Sequence, residues 1–197
     1  MQEVSQKLAE KGRERFESLF GFLPPPVRLV VDKKNLKPWE AAATWIGPSV
    51  HIQLKSEKPP LFYSIEEIIS HELVHVVRAE YNEPLFEEIL AFSTSNSRFR
   101  RFFGPLFSSP KESLFFLGSL FLSWGGCATG LFFDIEPLLF CWTLPIGVFC
   151  YLLIRLCYFQ AVFKKALLYA ERESGSKALG ILILMTDAQI KAFGSRF

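Results

Sequence analysis

The chain has 197 residues, 22 basic and 20 acidic, for a net charge of +2. So even a balance gives no electrostatic footing for nucleic acid as a partner. All four cysteines (Cys127, Cys141, Cys150, Cys157) lie in one apolar region, which excludes a disulfide framework for the polar remainder and suits a reducing compartment. Residues 1–20 are rich in charge and do not read as a secretory leader.

Val4, Leu8, Phe16, Leu19 and Phe20 recur at helical spacing, predicting an amphipathic helix over 2–20. Its charges are of mixed sign, so its apolar face is expected to pack on the domain and not on lipid. Pro24-Pro25-Pro26 ends it and begins an extended segment at 27–31. Two strands follow, 41–46 and 50–54, joined through Gly47-Pro48-Ser49. In the second, Val50, Ile52 and Leu54 alternate with His51 and Gln53, the period of a half-buried strand.

Ser64-Ile65-Glu66-Glu67 reads as a capping box that opens a helix ending near 79–81. Pro59-Pro60 separates that helix from the strand before it. Within the helix stands His71-Glu72-Leu73-Val74-His75. Residues four apart share a helix face, so His71 and His75 can present both imidazoles to one metal ion, with Glu72 beside them as general base. Asn82-Glu83-Pro84 is a turn, and Pro84 starts a second helix over 84–93.

A catalytic zinc takes three protein ligands and a water. The remaining histidine, His51, lies upstream in a strand, and no aspartate follows closely. Arg78 and Tyr81 stand where a metzincin would have Gly and His, which excludes that class. The third ligand is therefore sought among Glu80, Glu83, Glu87 and Glu88. Folding the two helices back on each other brings His75 and Glu88 to similar heights, at ~1.5 Å of rise per residue. Glu88 shares its face with Leu85, Ala91 and Phe92, the side expected to pack inward, whereas Glu87 projects toward the turn with Glu83 and Pro84. Glu88 is the preferred ligand, with Glu87 and Glu83 as alternatives.

The two segments His71-Glu72-Leu73-Val74-His75 and Pro84-Leu85-Phe86-Glu87-Glu88-Ile89-Leu90-Ala91-Phe92 resemble the active site of the gluzincins, in particular the peptidase-MA-like zinc metallopeptidases. The resemblance spans roughly residues 40–95. It implies Zn²⁺ as cofactor, held by His71, His75 and Glu88, with Glu72 as the catalytic base and Ala91 as the small residue three beyond the ligand. It also implies an α+β, zincin-like fold with a small antiparallel or mixed sheet and an active-site helix pair, and, by analogy with zincins, that the strand at 50–54 runs along the cleft and pairs with an extended substrate by edge addition. This chain departs from the pattern at Ile89, where Gly is frequent, and in a spacing from Pro84 to Glu88 shorter by one residue. Tyr63, Tyr81 and Arg78 are candidates for stabilising an oxyanion.

Residues 113–133 carry no charge, and neither do residues 138–154, which Arg155 closes. About 20 residues of helix cross a hydrocarbon core of ~30 Å, so a two-span transmembrane hairpin is expected, at about 113–133 and 137–155. Gly118, Gly125, Gly126, Gly130 and Gly147 would let its helices approach closely. Arg98, Arg100, Arg101 and Lys111 flank the entry and Arg155, Lys164 and Lys165 the exit, while the tip holds Asp134 and Glu136. The positive-inside rule then places the catalytic part and both termini in the cytoplasm. The expected organisation is a metallopeptidase domain at 1–110, the hairpin at 111–158 and a cytoplasmic helical segment at 159–197. In the last, 159–172 continues as an amphipathic helix, 178–185 is apolar but too short to cross and should dock on the soluble part, and Thr186-Asp187-Ala188-Gln189 caps a final short helix.

The sequence thus predicts a membrane-anchored, zinc-dependent peptidase acting on a peptide or protein substrate near the membrane, with lipid as its other partner. The rival expectation is a non-catalytic membrane protein whose zinc is structural and whose surface serves as a scaffold.

Overall fold

The computed structural model describes residues 2–37, 40–47, 49–58, 63–133 and 138–195. Pro48, Pro59, Pro60, Asp134 and Glu136 lie outside them. The first helix, α1 (Gln6–Phe20), starts later than its periodicity predicts. Gln2–Glu3 instead form a short strand, β1, antiparallel to β2 (Arg28–Val31), where their peptide groups gain ladder partners. Gly21 closes α1 in the left-handed conformation (φ 76°), its N–H donating to Glu17 O.

β3 (Ala42–Trp45) and β4 (His51–Leu54) pair antiparallel, and β4 pairs parallel with β2, in the order β1-β2-β4-β3. The fold is α+β, a small mixed sheet among helices. β4 does not alternate as predicted: Ile52, Gln53 and Leu54 are all buried. Gln53 is accommodated because its amide donates to the carbonyls of Asp32 and Lys34.

α2 (Ile65–Arg78) and α3 (Pro84–Ser93) form where expected. Ser64 Oγ accepts from the Glu67 N–H, but the reciprocal half of the capping box is missing. The Glu67 carboxylate is taken instead by Arg100, at 2.7 and 2.9 Å, and by the N–H of Asn96. Arg100 belongs to α4 (Arg98–Phe103), which leads through a 3-10 turn (Gly104–Leu106) to α5 (Pro110–Phe133).

The next helix passes through Arg155, where the uncharged stretch ends, and continues beyond it. α6 (Leu138–Ser174) runs unbroken for 37 residues, roughly 55 Å at helical rise. The charge is tolerated because the Arg155 guanidinium pairs with Glu112 at the start of α5. α5 and α6 are both long and apolar enough to cross a membrane, and they expose Phe121, Leu122, Trp124 and Ile154. Among the glycines proposed for their contact, Gly126 meets Cys141 Sγ so closely that a Cβ would lie 2.9 Å from it, whereas Gly118, Gly125 and Gly147 face open space.

The C-terminal part of α6 joins the soluble core. Phe163, Ala166 and Ala170 pack in one cluster with Phe16, Phe20, Ile52, Ile69, Leu73, Phe86 and Leu90. Each buried phenylalanine, leucine or isoleucine among them contributes ~1.5–3 kcal/mol by leaving water. α7 (Ala178–Ile183) docks on α1, as its apolar run suggests, so tightly that a Cβ on Gly180 would lie 1.9 Å from Phe20 O. Thr186 and Gln189 form the full capping box of α8 (Asp187–Gly194).

Arg78, the last residue of α2, is wholly buried. It donates to the carbonyls of Ile183 and Met185 and pairs with Asp187 at 3.0 Å. The other Asp187 oxygen accepts from the Leu85 N–H at 2.9 Å, and the Glu83 carboxylate caps the Asp187 N–H. One carboxylate therefore holds the end of α2 to the start of α3. Removing the cation strands that carboxylate in the interior, so Arg78→Ala should cost about 3–5 kcal/mol in denaturant unfolding.

Candidate metal centre

Four-residue spacing on α2 puts both imidazoles on one side, with His75 Nε2 3.3 Å from His71 Nε2. The α2–α3 turn then brings Glu88 across: its carboxylate oxygens lie 3.9 Å from His71 Nε2 and 3.8 Å from His75 Nε2. The three side chains offer one ligand atom each, all within 4.8 Å of one another, and could hold a metal ion. In a tetrahedral site with bonds of about 2.0–2.1 Å, donor atoms stand roughly 3.3–3.5 Å apart. The imidazole pair already has that separation; each histidine is nearest a different Glu88 oxygen, so a carboxylate oxygen would move inward to close a set that could hold a divalent ion.

Glu87 has a different place from the one its helix position suggests. It does not point to the turn but meets His75 Nδ1 at 2.6 Å. That contact holds the ring and leaves Nε2 free to face the cluster, the usual outer partner of a metal-bound histidine. His71 is fixed differently, with the Phe92 ring edge-on at 4.7 Å. Burial, with the neighbouring His75, pushes the His71 pKa down to about 3, against the pull of the Ala91 carbonyl. His71 is thus the neutral imidazole a metal requires. Burial also disfavours the His75 cation, but the Glu87 hydrogen bond and the charges of Glu88 and Glu72 outweigh it and raise the pKa to about 9. Without metal, that imidazolium partly balances the carboxylates around it.

Glu72 is buried beside the histidines, and Thr44 of β3 donates to its Oε2 at 2.7 Å. Burial raises the Glu72 carboxyl, opposed by His75 and the Thr44 hydrogen bond, and burial likewise raises Glu88. Nothing in the sequence marks Thr44, 28 residues upstream; only the packing of β3 on α2 brings it there.

The remaining candidates fall elsewhere. His51 stacks with Trp45 and contacts Ser49 O, apart from the cluster. Glu83 serves α8, as described. Arg78 and Tyr81, whose hydroxyl donates to Leu184 O, hold the C-terminal segment and do not reach the histidines. Tyr63 does line the cleft, its ring 4.2 Å beneath the Arg100 guanidinium. β4 cannot receive a substrate strand, because it lies inside the sheet between β2 and β3. Among the described residues β1 and β3 are the edge strands, and of the two it is β3 whose Ala42 lines the cleft. That cleft, about 600 Å³, is lined by His71, Glu72 and Glu88.

No family model, no curated protein and no solved structure matches this chain. The reading of the site accordingly rests on its own geometry.

With Zn²⁺ as the probe, Glu88→Ala removes a ligand and Glu87→Ala an outer partner. Competition against a chromophoric chelator should show about 10–100-fold weaker binding in Glu87→Ala and a larger loss in Glu88→Ala.

Proposed function

We propose that this protein is a zinc-dependent metallopeptidase of gluzincin type, anchored in a membrane by the α5–α6 hairpin. The observation that carries the reading is the convergence of His71, His75 and Glu88 with a fourth side open to a cleft, where Glu72 also stands. A structural zinc site is closed by four protein ligands; three ligands facing a cavity suit catalysis better. This argument also favours the peptidase over a scaffold with a structural ion.

His71, His75 and Glu88 would hold the zinc, and Glu87 orients His75. When bound, the ion supplies Lewis acidity, polarising a carbonyl and lowering the pKa of water to about 7. Thr44 holds Glu72 Oε2, which leaves Oε1 to take a proton from the attacking water and deliver it to the departing amide nitrogen. An extended substrate adds to the open edge of β3, its backbone paired there and its scissile carbonyl beside the cluster.

In the membrane, α5 and α6 place their exposed phenylalanines, leucines and tryptophans in hydrocarbon, a solvent that suits helices apolar all round. Arg98, Arg101, Lys111, Lys164 and Lys165 flank the two spans on the side away from their connection, which by the positive-inside rule supports a cytoplasmic place for that end and both termini.

Two measurements test this. Glu72→Gln should lower peptide hydrolysis by about 10²–10⁴-fold while one zinc per chain is retained; unchanged hydrolysis would remove Glu72 from the chemistry. In a cysteine-free background, Ser5→Cys and Ser195→Cys should react with an impermeant maleimide only after cells are opened, and labelling of either in intact cells would overturn the orientation.

A further inference from the structure

The cleft that holds the cluster has two walls of different origin. One comes from α2, α3 and β3. The other is the approach to α5 and its foot: Gly104, Phe107, Ser108, Ser109, Pro110 and, one turn up, Ser113. Pro110 is also the first residue of a helix long and apolar enough to cross a membrane. The metal-ligand cluster and the base of that helix thus share one cavity.

The second wall is fixed in place. Arg155 reaches over from α6 and donates to Leu106 O at 3.1 Å, Ser108 Oγ at 3.0 Å and Glu112 Oε2 at 2.9 Å. Glu112 Oε2 also accepts from the Ser108 N–H at 2.8 Å. A guanidinium fork ties the wall to both helices of the hairpin, so the cleft and the hairpin keep one relative position.

A separate feature sets the level of the membrane surface. α4 packs against α3 and the 3-10 turn just before this wall, and it leaves Phe99 69% exposed and Phe102 and Phe103 each 37% exposed. Their rings lie against one another, with centroids 4.8 and 4.9 Å apart. Exposed phenylalanines beside Arg98 and Arg101 suit the boundary between acyl chains and phosphates, where rings enter hydrocarbon and arginines stay at the headgroups.

Building on the peptidase reading above, we propose that the substrates are themselves membrane-anchored polypeptides, cut within the first few residues outside the bilayer on the side of the catalytic domain. A chain leaving the membrane beside α5 advances at most ~3.3–3.6 Å per residue, so the segment that reaches a cleft at the foot of α5 is the juxtamembrane one. Sharing a bilayer also replaces free encounter by a high effective concentration. Hydrolysis adds one water across one peptide bond, leaving a short stub on the span and releasing the polar part.

The test uses the full-length, zinc-loaded protein in vesicles of phosphatidylcholine and phosphatidylglycerol. It is given a library of randomised segments in three forms: about 3–8 residues from a single transmembrane span, about 25–30 residues from the same span, and free in solution. Glu72→Gln runs beside each as the control for contaminating proteases. The proximal form should be cleaved at least ~10-fold faster than the other two. Equal cleavage of all three, or faster cleavage of the distal or free form, overturns the substrate assignment and leaves the peptidase standing. No Glu72-dependent cleavage of any form overturns both.

Discussion

A single carboxylate near the C-terminal end of the chain fixes the angle on which the centre depends. Asp187 accepts from Arg78 at the end of α2 through one oxygen and from the Leu85 N–H at the start of α3 through the other. The turn between those helices contains no apolar anchor of comparable burial, and the bridge adds a polar tie to the packing of Phe86 and Leu90 of α3 with Ile69 and Leu73 of α2 in one buried cluster. With it, Glu88 faces Nε2 of both histidines and Glu87 reaches Nδ1 of His75. The bridge works only because α7 and α8 are themselves buried against α1 and α6, with Leu182, Ile183 and Ile190 wholly out of water. The C-terminal core thus helps, through a buried ion pair, to place the atoms that could hold a metal ion.

A divalent cation would complete the electrostatics of the centre. Glu72, Glu87 and Glu88 bring three carboxylates against two imidazoles, one of which burial keeps neutral. Buried charge is costly unless it is paired, and a divalent ion is the partner that such an excess of carboxylate accepts. The same burial raises Glu72 and Glu88 in the metal-free protein, a strain that a bound cation would relieve.

What could be read from the sequence followed local periodicity. The i, i+4 histidines, the Pro84 helix start, the inward face of Glu88 and the Thr186 capping box all depend on residues within a few turns of one another. What could not be read depends on partners far along the chain. Glu67 abandons its capping role for Arg100, 33 residues on, and Thr44 reaches Glu72 across 28. Arg155 reads only as the close of an uncharged stretch until Glu112 is seen beside it, 43 residues away. Sheet order and burial are likewise invisible in a strand's own residues: β4 alternates like a strand with one wet face, yet it lies inside the sheet with Gln53 buried. Gln53 shows why, since its burial is made possible by carbonyls of the loop after β2.

The hairpin and the centre are linked through the wall that Arg155 holds, so the placement of α5 and α6 bears directly on what the cleft can receive. The claim beneath all of this is that two helices grip one divalent ion. Elemental analysis of the full-length protein, loaded with Zn²⁺ and dialysed, tests it most directly beside His71→Ala. The account predicts one zinc per chain in the wild type and none in the variant; a wild type that retains no zinc, or a variant that retains it fully, would contradict it.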